Sequence, residues 1–217
     1  MRLLCISDIH GRYKNIKKIE SELREADIVI LAGDITNFGD RGKTMKIIRE
    51  FMKYNSKILA VHGNCDLSSV NDALKELKVW LHGRSAVING TGFFGLGGSN
   101  ITPFATPQEY SEEKLSGIVE KAYNSLGNTE KKILISHTPP YGILDGTGSG
   151  TRAGSKALRN FIRDADMELV ICGHVHEAKG IEKWQGKLII NPGPIHMGYA
   201  VVDINDNDRL EAELISL

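Results

Sequence analysis

The sequence predicts an α/β protein made of two packed sheets with helices around them, and three observations predict it. Short apolar runs of strand length recur at Arg2 to Ser7, Asp27 to Ala32, Lys57 to Val61, Lys131 to Ser136 and Glu168 to Cys172. Charged segments with helical spacing lie between several of these runs, so strand and helix alternate as in βαβ units. Towards the C-terminus the texture changes to short strand-like pieces separated by turns.

The first run reads as a buried strand. Tyr13 to Arg24 is charged with apolar residues at Ile16, Ile19 and Leu23, which predicts a surface helix. The unbroken hydrophobicity of Asp27 to Ala32 argues for burial on both faces. A helix around Thr44 to Tyr54, the strand Lys57 to Val61 and a helix from Leu67 to Leu77 continue the alternation. Val79 to Leu81, Ala86 to Ile88 and Phe93 to Leu96 are short and separated by Gly and Asn, which suggests hairpins at one edge. Gly97 to Pro107 is too rich in Gly and Pro for an element interior. Ser111 sits at the cap of a helix running to Leu126. After the strand Lys131 to Ser136, Asp145 to Gly154 is glycine-rich, but it lacks the lysine of a phosphate-binding loop and no strand feeds it directly. Ser155 caps the helix Lys156 to Arg163. Beyond the strand Glu168 to Cys172, the pieces Gly180 to Trp184, Lys187 to Ile190, Gly198 to Asp203 and Arg209 to Ile215 read as a mostly antiparallel sheet beside the first. No linker or repeat divides the chain, so residues 1–217 are expected to form a single domain.

The strand ends carry the chemistry. They read Asp8-Ile9-His10, Gly33-Asp34, Gly63-Asn64-Cys65-Asp66, His137 and Gly173-His174-Val175-His176. Each has an ordinary explanation taken alone: Asp8 could cap a helix, Gly-Asp is turn chemistry, and paired histidines can be solvated. Ligands of open α/β sheets bind beyond the C-terminal ends of the strands, and there the residues recur. Among them Asp8, His10, Asp34, Asn64, His137, His174 and His176, two carboxylates, one amide and four imidazoles, suit two divalent ions better than one.

Composition sets the bounds. Hydrophobic residues make up 41% and charged residues 25%, as in globular enzymes. Lys plus Arg and Asp plus Glu balance at 27 each, so no global field draws nucleic acid or an acidic membrane. Cys5, Cys65 and Cys172 show no C-x-x-C spacing, which suggests reduced thiols. The N-terminal apolar run is too short for a signal peptide, and no segment reaches transmembrane length. The expectation is a cytoplasmic protein without a membrane partner; a homo-oligomer stays open.

In this order the five motifs resemble the calcineurin-like metallophosphoesterase superfamily: D-x-H, G-D, G-N-x-[DE], a lone His and G-H-x-H. The N-P-G stretch at Asn191 and the G-G-S-N-I-T-P-F loop are similar to small prokaryotic members of phosphodiesterase type. The resemblance implies a four-layer α-β-β-α sandwich of two mixed sheets flanked by helices. It assigns Asp8, His10, Asp34 and His176 to one metal, and Asp34, Asn64, His137 and His174 to a second, with Asp34 bridging. Mixed oxygen and nitrogen ligands leave manganese, iron, zinc, nickel and cobalt open, and manganese is the ion expected. A hydroxide between the ions would attack the phosphorus.

The expected catalytic set is Asp34, Asn64, Cys65, Asp66 and His174, and Asn64, His62 and Arg152 are expected to bind substrate. Two departures bear on specificity. Protein phosphatases of the family follow the second motif with Asp-Arg-Gly, where this chain has Asn37-Phe38-Gly39. The third motif usually carries His after Asn, and here Cys65 stands in that place, a feature shared with small phosphodiesterases of the family. The function implied is hydrolysis of a small or nucleotide-like phosphodiester, with a phosphomonoesterase or nucleotidase as the alternative. A nuclease ranks third for want of a basic run. A non-catalytic scaffold, like the retromer subunit sharing this fold, would be expected to lose ligands.

Overall fold

Strand alternation decides the layers. In β1 (Arg2–Ile6), Leu3 and Cys5 enter one buried cluster and Leu4 and Ile6 another, because successive side chains leave a strand on opposite faces. β2 (Ile28–Ala32) repeats this with Ile28, Ile30 and Ala32 against Val29 and Leu31. A sheet buried on both faces needs a layer on each. Those layers are present in a computed structural model, which describes residues 1–205 and 209–217.

With α1 (Glu20–Glu25) between β1 and β2, the chain continues through α2 (Arg41–Met52), β3 (Ile58–Val61), α3 (Ser69–Glu76), β4 (Ser85–Ile88) and β5 (Thr91–Leu96). Next come β6 (Ser99–Asn100), β7 (Glu109–Tyr110), α4 (Glu112–Asn124), β8 (Lys131–Ser136) and α5 (Lys156–Asp164). β9 (Leu169–Ile171), β10 (Gly180–Trp184), β11 (Lys187–Asn191), β12 (Gly198–Ile204) and β13 (Leu210–Ser216) complete it. One sheet has the order β13-β12-β1-β2-β3 and the other β10-β11-β9-β8-β5-β4. Between them Leu3, Ile30 and Val61 meet Phe93, Ile135 and Ile171. On the outer faces, Ile48, Phe51, Val70 and Leu74 cover the first sheet, and Leu115, Val119, Leu158 and Ile162 cover the second. The result is the expected four-layer sandwich. Capping is local: Asp40, Ser111 and Ser155 accept from Lys43, Lys114 and Leu158 N–H at the starts of α2, α4 and α5.

Four expectations need correction. Tyr13 to Arg24 is not one α-helix: Tyr13–Ile19 is a 3-10 turn and only then does α1 begin. Ile16 and Ile19 are its buried residues, and their three-residue spacing is the period of a 3-10 helix. Asp8 caps nothing there; it accepts from Ser7 Oγ and His174 N–H instead. Val79 to Leu81 is a crossing rather than a strand, since Trp80 bridges to Ala60 in one sheet and His82 to Gly95 in the other. The C-terminal part does not form a sheet of its own. β11 joins β9 in parallel and β10 closes that edge antiparallel, while β12 and β13 return to the first sheet beside β1. The turn at Asn191-Pro192-Gly193-Pro194 makes the transfer, because prolines cannot donate to a ladder and Gly193 takes φ of 70°. Ile195 N–H then reaches Ser7 O at 3.1 Å, at the end of β1.

Candidate metal centre

The loops after β1, β2, β3, β8 and β9 meet at one end of the two sheets. Four of the donors they carry sit in the left-handed backbone region: Asp8 at φ 51°, His10 at 47°, Asp34 at 47° and His174 at 70°. Such conformations persist in non-glycine residues only where neighbours enforce them. Asp8 N–H donates to Gly33 O (3.1 Å) and His10 N–H to Asp34 O (2.8 Å), locking the first two loops together. Close approach explains two motif glycines. A Cβ at Gly63 would overlap Asp34 Oδ1, and one at Gly173 would overlap Ser7 Oγ.

The donor atoms form two groups that share Asp34. In one, His10 Nε2 is 3.2 Å from His176 Nε2, 3.8 Å from Asp8 Oδ1 and 3.6 Å from Asp34 Oδ2. His176 Nε2 is 3.3 Å from Asp8 Oδ1. In the other, Asn64 Oδ1 is 2.9 Å from both His137 Nε2 and His174 Nδ1. His137 Nε2 is 3.5 Å from Asp34 Oδ1. Asp34 therefore turns one oxygen to each group.

The donor chemistry fits a cation in each. His137 Nδ1 lies 2.9 Å from the Ala32 carbonyl, which only accepts, so that nitrogen carries the proton and donates. In a neutral ring Nε2 is then a lone pair, aimed at Asn64 Oδ1. Asn64 cannot offer its amino side, because Nδ2 donates to Thr106 Oγ1 at 2.9 Å. A neutral His137 ring thus sets its lone pair against that of Asn64 Oδ1, an arrangement that a metal ion makes favourable. Two ligands about 2.1 Å from one ion and at right angles stand about 3 Å apart, close to the separations seen. The hydrogen bond with Asp8 raises His176, but burial disfavours charge on two other imidazoles, bringing His10 down to about 4 and His174 down to about 3. It pushes Asp34 up to about 7, with Asp66 and Asp8 adding their repulsion. Burial opposes ionisation of Asp8 too, but its hydrogen bonds with His176 and Ser7 hold that carboxyl below the usual range. Acidic and imidazole groups short of positive charge match a divalent cation of borderline hardness.

Around this centre the expected residues fare differently. Cys65 Sγ lies with donor atoms of His10 and Asp34, all within 4.8 Å of one another, and Cys65 N–H donates to Asp34 Oδ1 at 2.8 Å. Burial and then Asp34 push its thiol up. Asp66, expected in the catalytic set, is placed among groups of the second and third loops. Fully buried, it accepts from Gly63 N–H, Ile35 N–H, Thr36 N–H and Thr36 Oγ, and so ties the second loop to the third. His62, expected to bind substrate, is fully buried, meets the Tyr110 hydroxyl at 3.1 Å and packs on His82.

Arg152 lines a cavity of about 420 Å³ beside His174 and His176. Its guanidinium donates to buried Asp145, which also accepts from Gly142 and Gly154 N–H. The opposite wall is apolar, with Ile101 and Phe104 exposed at 70% and 83%. Thr147, Ser149 and Thr151 add hydroxyls to the Arg152 side. A larger groove of about 690 Å³ between α4 and α5 contains none of the donors. Sequence reasoning missed Ile101, Phe104, Thr106 and Glu109. The one available signal was Thr106-Pro107-Gln108-Glu109, the T-x-x-E pattern of a capping box.

Fold and donor set together define a class, the metal-binding α/β sandwich. The family is more particular: the calcineurin-like phosphoesterase model matches residues 1–178, and the chain belongs to that family. An uncharacterised protein of Methanocaldococcus jannaschii is 35% identical over 217 residues, covering 95% of this chain and 94% of that one. Among solved structures, a Thermus thermophilus protein superposes with a TM-score of 0.77 at 16% identity and 98% coverage of both chains. A dimetal phosphatase from Danio rerio gives a TM-score of 0.64 at 12% identity, over 98% of this chain and 95% of its own.

Proposed function

We propose that residues 1–217 act as one metallophosphoesterase domain that hydrolyses a small phosphodiester with two divalent ions. The observation that carries this reading is Asp34, whose Oδ2 faces one donor group and Oδ1 the other. Asp8, His10, Asp34 and His176 would hold the first ion, and Asp34, Asn64, His137 and His174 the second. When bound, the ions supply Lewis-acid polarisation of the phosphoryl group and the lowered water pKa of two-metal hydrolysis.

The chain's own residues do the rest. Positive-φ backbone at Asp8, His10, Asp34 and His174 pre-sets the donors before an ion binds. Ala32 O holds the proton on His137 Nδ1 and keeps Nε2 free as a ligand. Arg152, pinned by Asp145, offers its other N–H groups to the non-bridging phosphate oxygens. Cys65, standing where the family usually carries an imidazole, favours diesters whose leaving group departs without a strong acid.

A panel of phosphate mono- and diesters assayed with manganese, iron, zinc, nickel and cobalt tests the reading, with manganese expected to be effective and diesters preferred. Nucleotide monoesters belong on it, because a structural relative is a 5'-nucleotidase from Candida albicans. Asp34→Asn should lower turnover more than about 100-fold under saturating metal, since the amide has one oxygen where two are used. Near-normal turnover in that variant would remove the two-ion assignment.

A further inference from the structure

We propose that Glu109, acting through Thr106, is a positioning residue that fixes the amide of Asn64 with its oxygen towards the second metal position. This deepens the two-metal reading and rests on it. An asparagine side chain presents an acceptor on one side and a donor on the other, and the two are similar in shape. Only the carbonyl oxygen can serve as a metal ligand. Something must therefore decide which way the amide faces.

The hydrogen-bond directions decide it. Thr106 has one hydroxyl proton, and Oγ1 lies 2.6 Å from Glu109 Oε1, a carboxylate that can only accept. The proton is committed to Glu109, and a Thr106 lone pair is left for Asn64. At 2.9 Å from Oγ1, Asn64 must present Nδ2 as donor, which turns Oδ1 to His137 and His174. A flipped amide would set two acceptors together at Thr106.

Glu109 is itself tightly held. Its carboxylate also accepts from Thr106 N–H (2.9 Å), Thr102 N–H (3.1 Å) and Thr102 Oγ1 (2.5 Å). Burial works against its charge, and these bonds outweigh it, holding the carboxyl below the usual range. Thr102 and Thr106 bracket Pro103, Phe104 and Ala105, so the same carboxylate anchors the apolar wall of the cleft and the metal-ligand amide. Among the described residues the other hydrogen-bond neighbour of Nδ2 is Cys65 Sγ at 3.7 Å, a far weaker acceptor.

The test is a calorimetric titration of the metal-free protein with Mn²⁺, read with the electron paramagnetic resonance of the bound ions. Wild type should take two ions and give the spectrum of a coupled pair. Thr106→Val keeps the shape and removes the hydroxyl. It should weaken the second ion about tenfold or more and leave the first unchanged, the size usual for loss of an outer partner of a ligand. The spectrum should then become that of an isolated ion at intermediate Mn²⁺. Thr106→Ser should restore both properties. If Thr106→Val does not fold, Glu109→Gln carries the test, since a neutral amide fills the same space and should weaken the second ion severalfold. Two unaltered affinities in these variants would overturn the positioning role alone. Equal weakening of both ions would also overturn it, because general damage to the loop would explain that. A wild-type chain that takes fewer than two ions would overturn this inference together with the two-metal reading.

Discussion

At the scale of single residues, Cys65 has the most consequence for chemistry. A thiol there is a weaker proton donor to a leaving oxygen than an imidazolium would be. His62 cannot take over, because it is buried against Tyr110 and His82. Hydrolysis by the wild type should therefore depend steeply on leaving-group acidity, with aryl diesters cleaved far faster than alkyl ones. Cys65→His should flatten that dependence and help poor leaving groups most, by up to the ~10²–10⁴-fold typical of general acid catalysis. The measurement is the slope of log rate against leaving-group pKa for the two proteins. A shallow wild-type slope, unchanged in Cys65→His, would leave the diester preference without a chemical basis.

Among the elements, the loop between β8 and α5 forms one wall of the cleft. It is not a loose connection: Thr147 N–H donates to Thr151 O at 2.9 Å, and Gly146 and Arg152 form a bridge pair. Arg152 is tethered to a buried carboxylate on one side and half exposed on the other. A guanidinium held in this way loses little freedom when it meets phosphate. Arg152→Ala should raise KM several-fold to about tenfold for diesters while kcat changes less, because the contact is made to substrate and transition state alike. An unchanged KM across every active substrate would return this loop to a structural role.

For the whole molecule, the donors come from five loops of two sheets, so ions bound there join parts of the chain far apart in sequence. A ligand that binds only the folded state stabilises it by about 2.7 kcal/mol at 100 times its Kd. For a chain of this size that corresponds to about 5–10 °C in Tm. Mn²⁺ should raise Tm by that order, a chelator should reverse it, and Asp34→Asn should diminish it. Thermal scans that do not respond to any of the five metals would contradict a metal centre. Equal numbers of acidic and basic residues, 27 each, argue against long-range attraction of a polyanion, which suits a small substrate. Among the described residues no helix is long and apolar enough to cross a membrane.

Much of this architecture was legible in the sequence. Apolar runs located β1, β2, β3, β8 and β9, because strands buried on both faces leave a local mark, and the residue after each run pointed to the end where Asp8, Asp34, Asn64, His137 and His174 gather. Periodicity says which face of a strand is apolar, not which neighbour covers it. For that reason the return of β12 and β13 to β1 was decided only in three dimensions, through the turn at Pro192 and Pro194. The same holds for function within one loop. His62 and His174 look alike as histidines beside a buried strand, as Asp34 and Asp66 look alike as carboxylates in the loop that follows one. Burial and hydrogen-bond partners distinguish them, and these depend on which loops meet in space. Thr106 and Glu109 lie more than forty positions from Asn64 in sequence, and only tertiary structure, which brings those loops within hydrogen-bond range, links them to its amide.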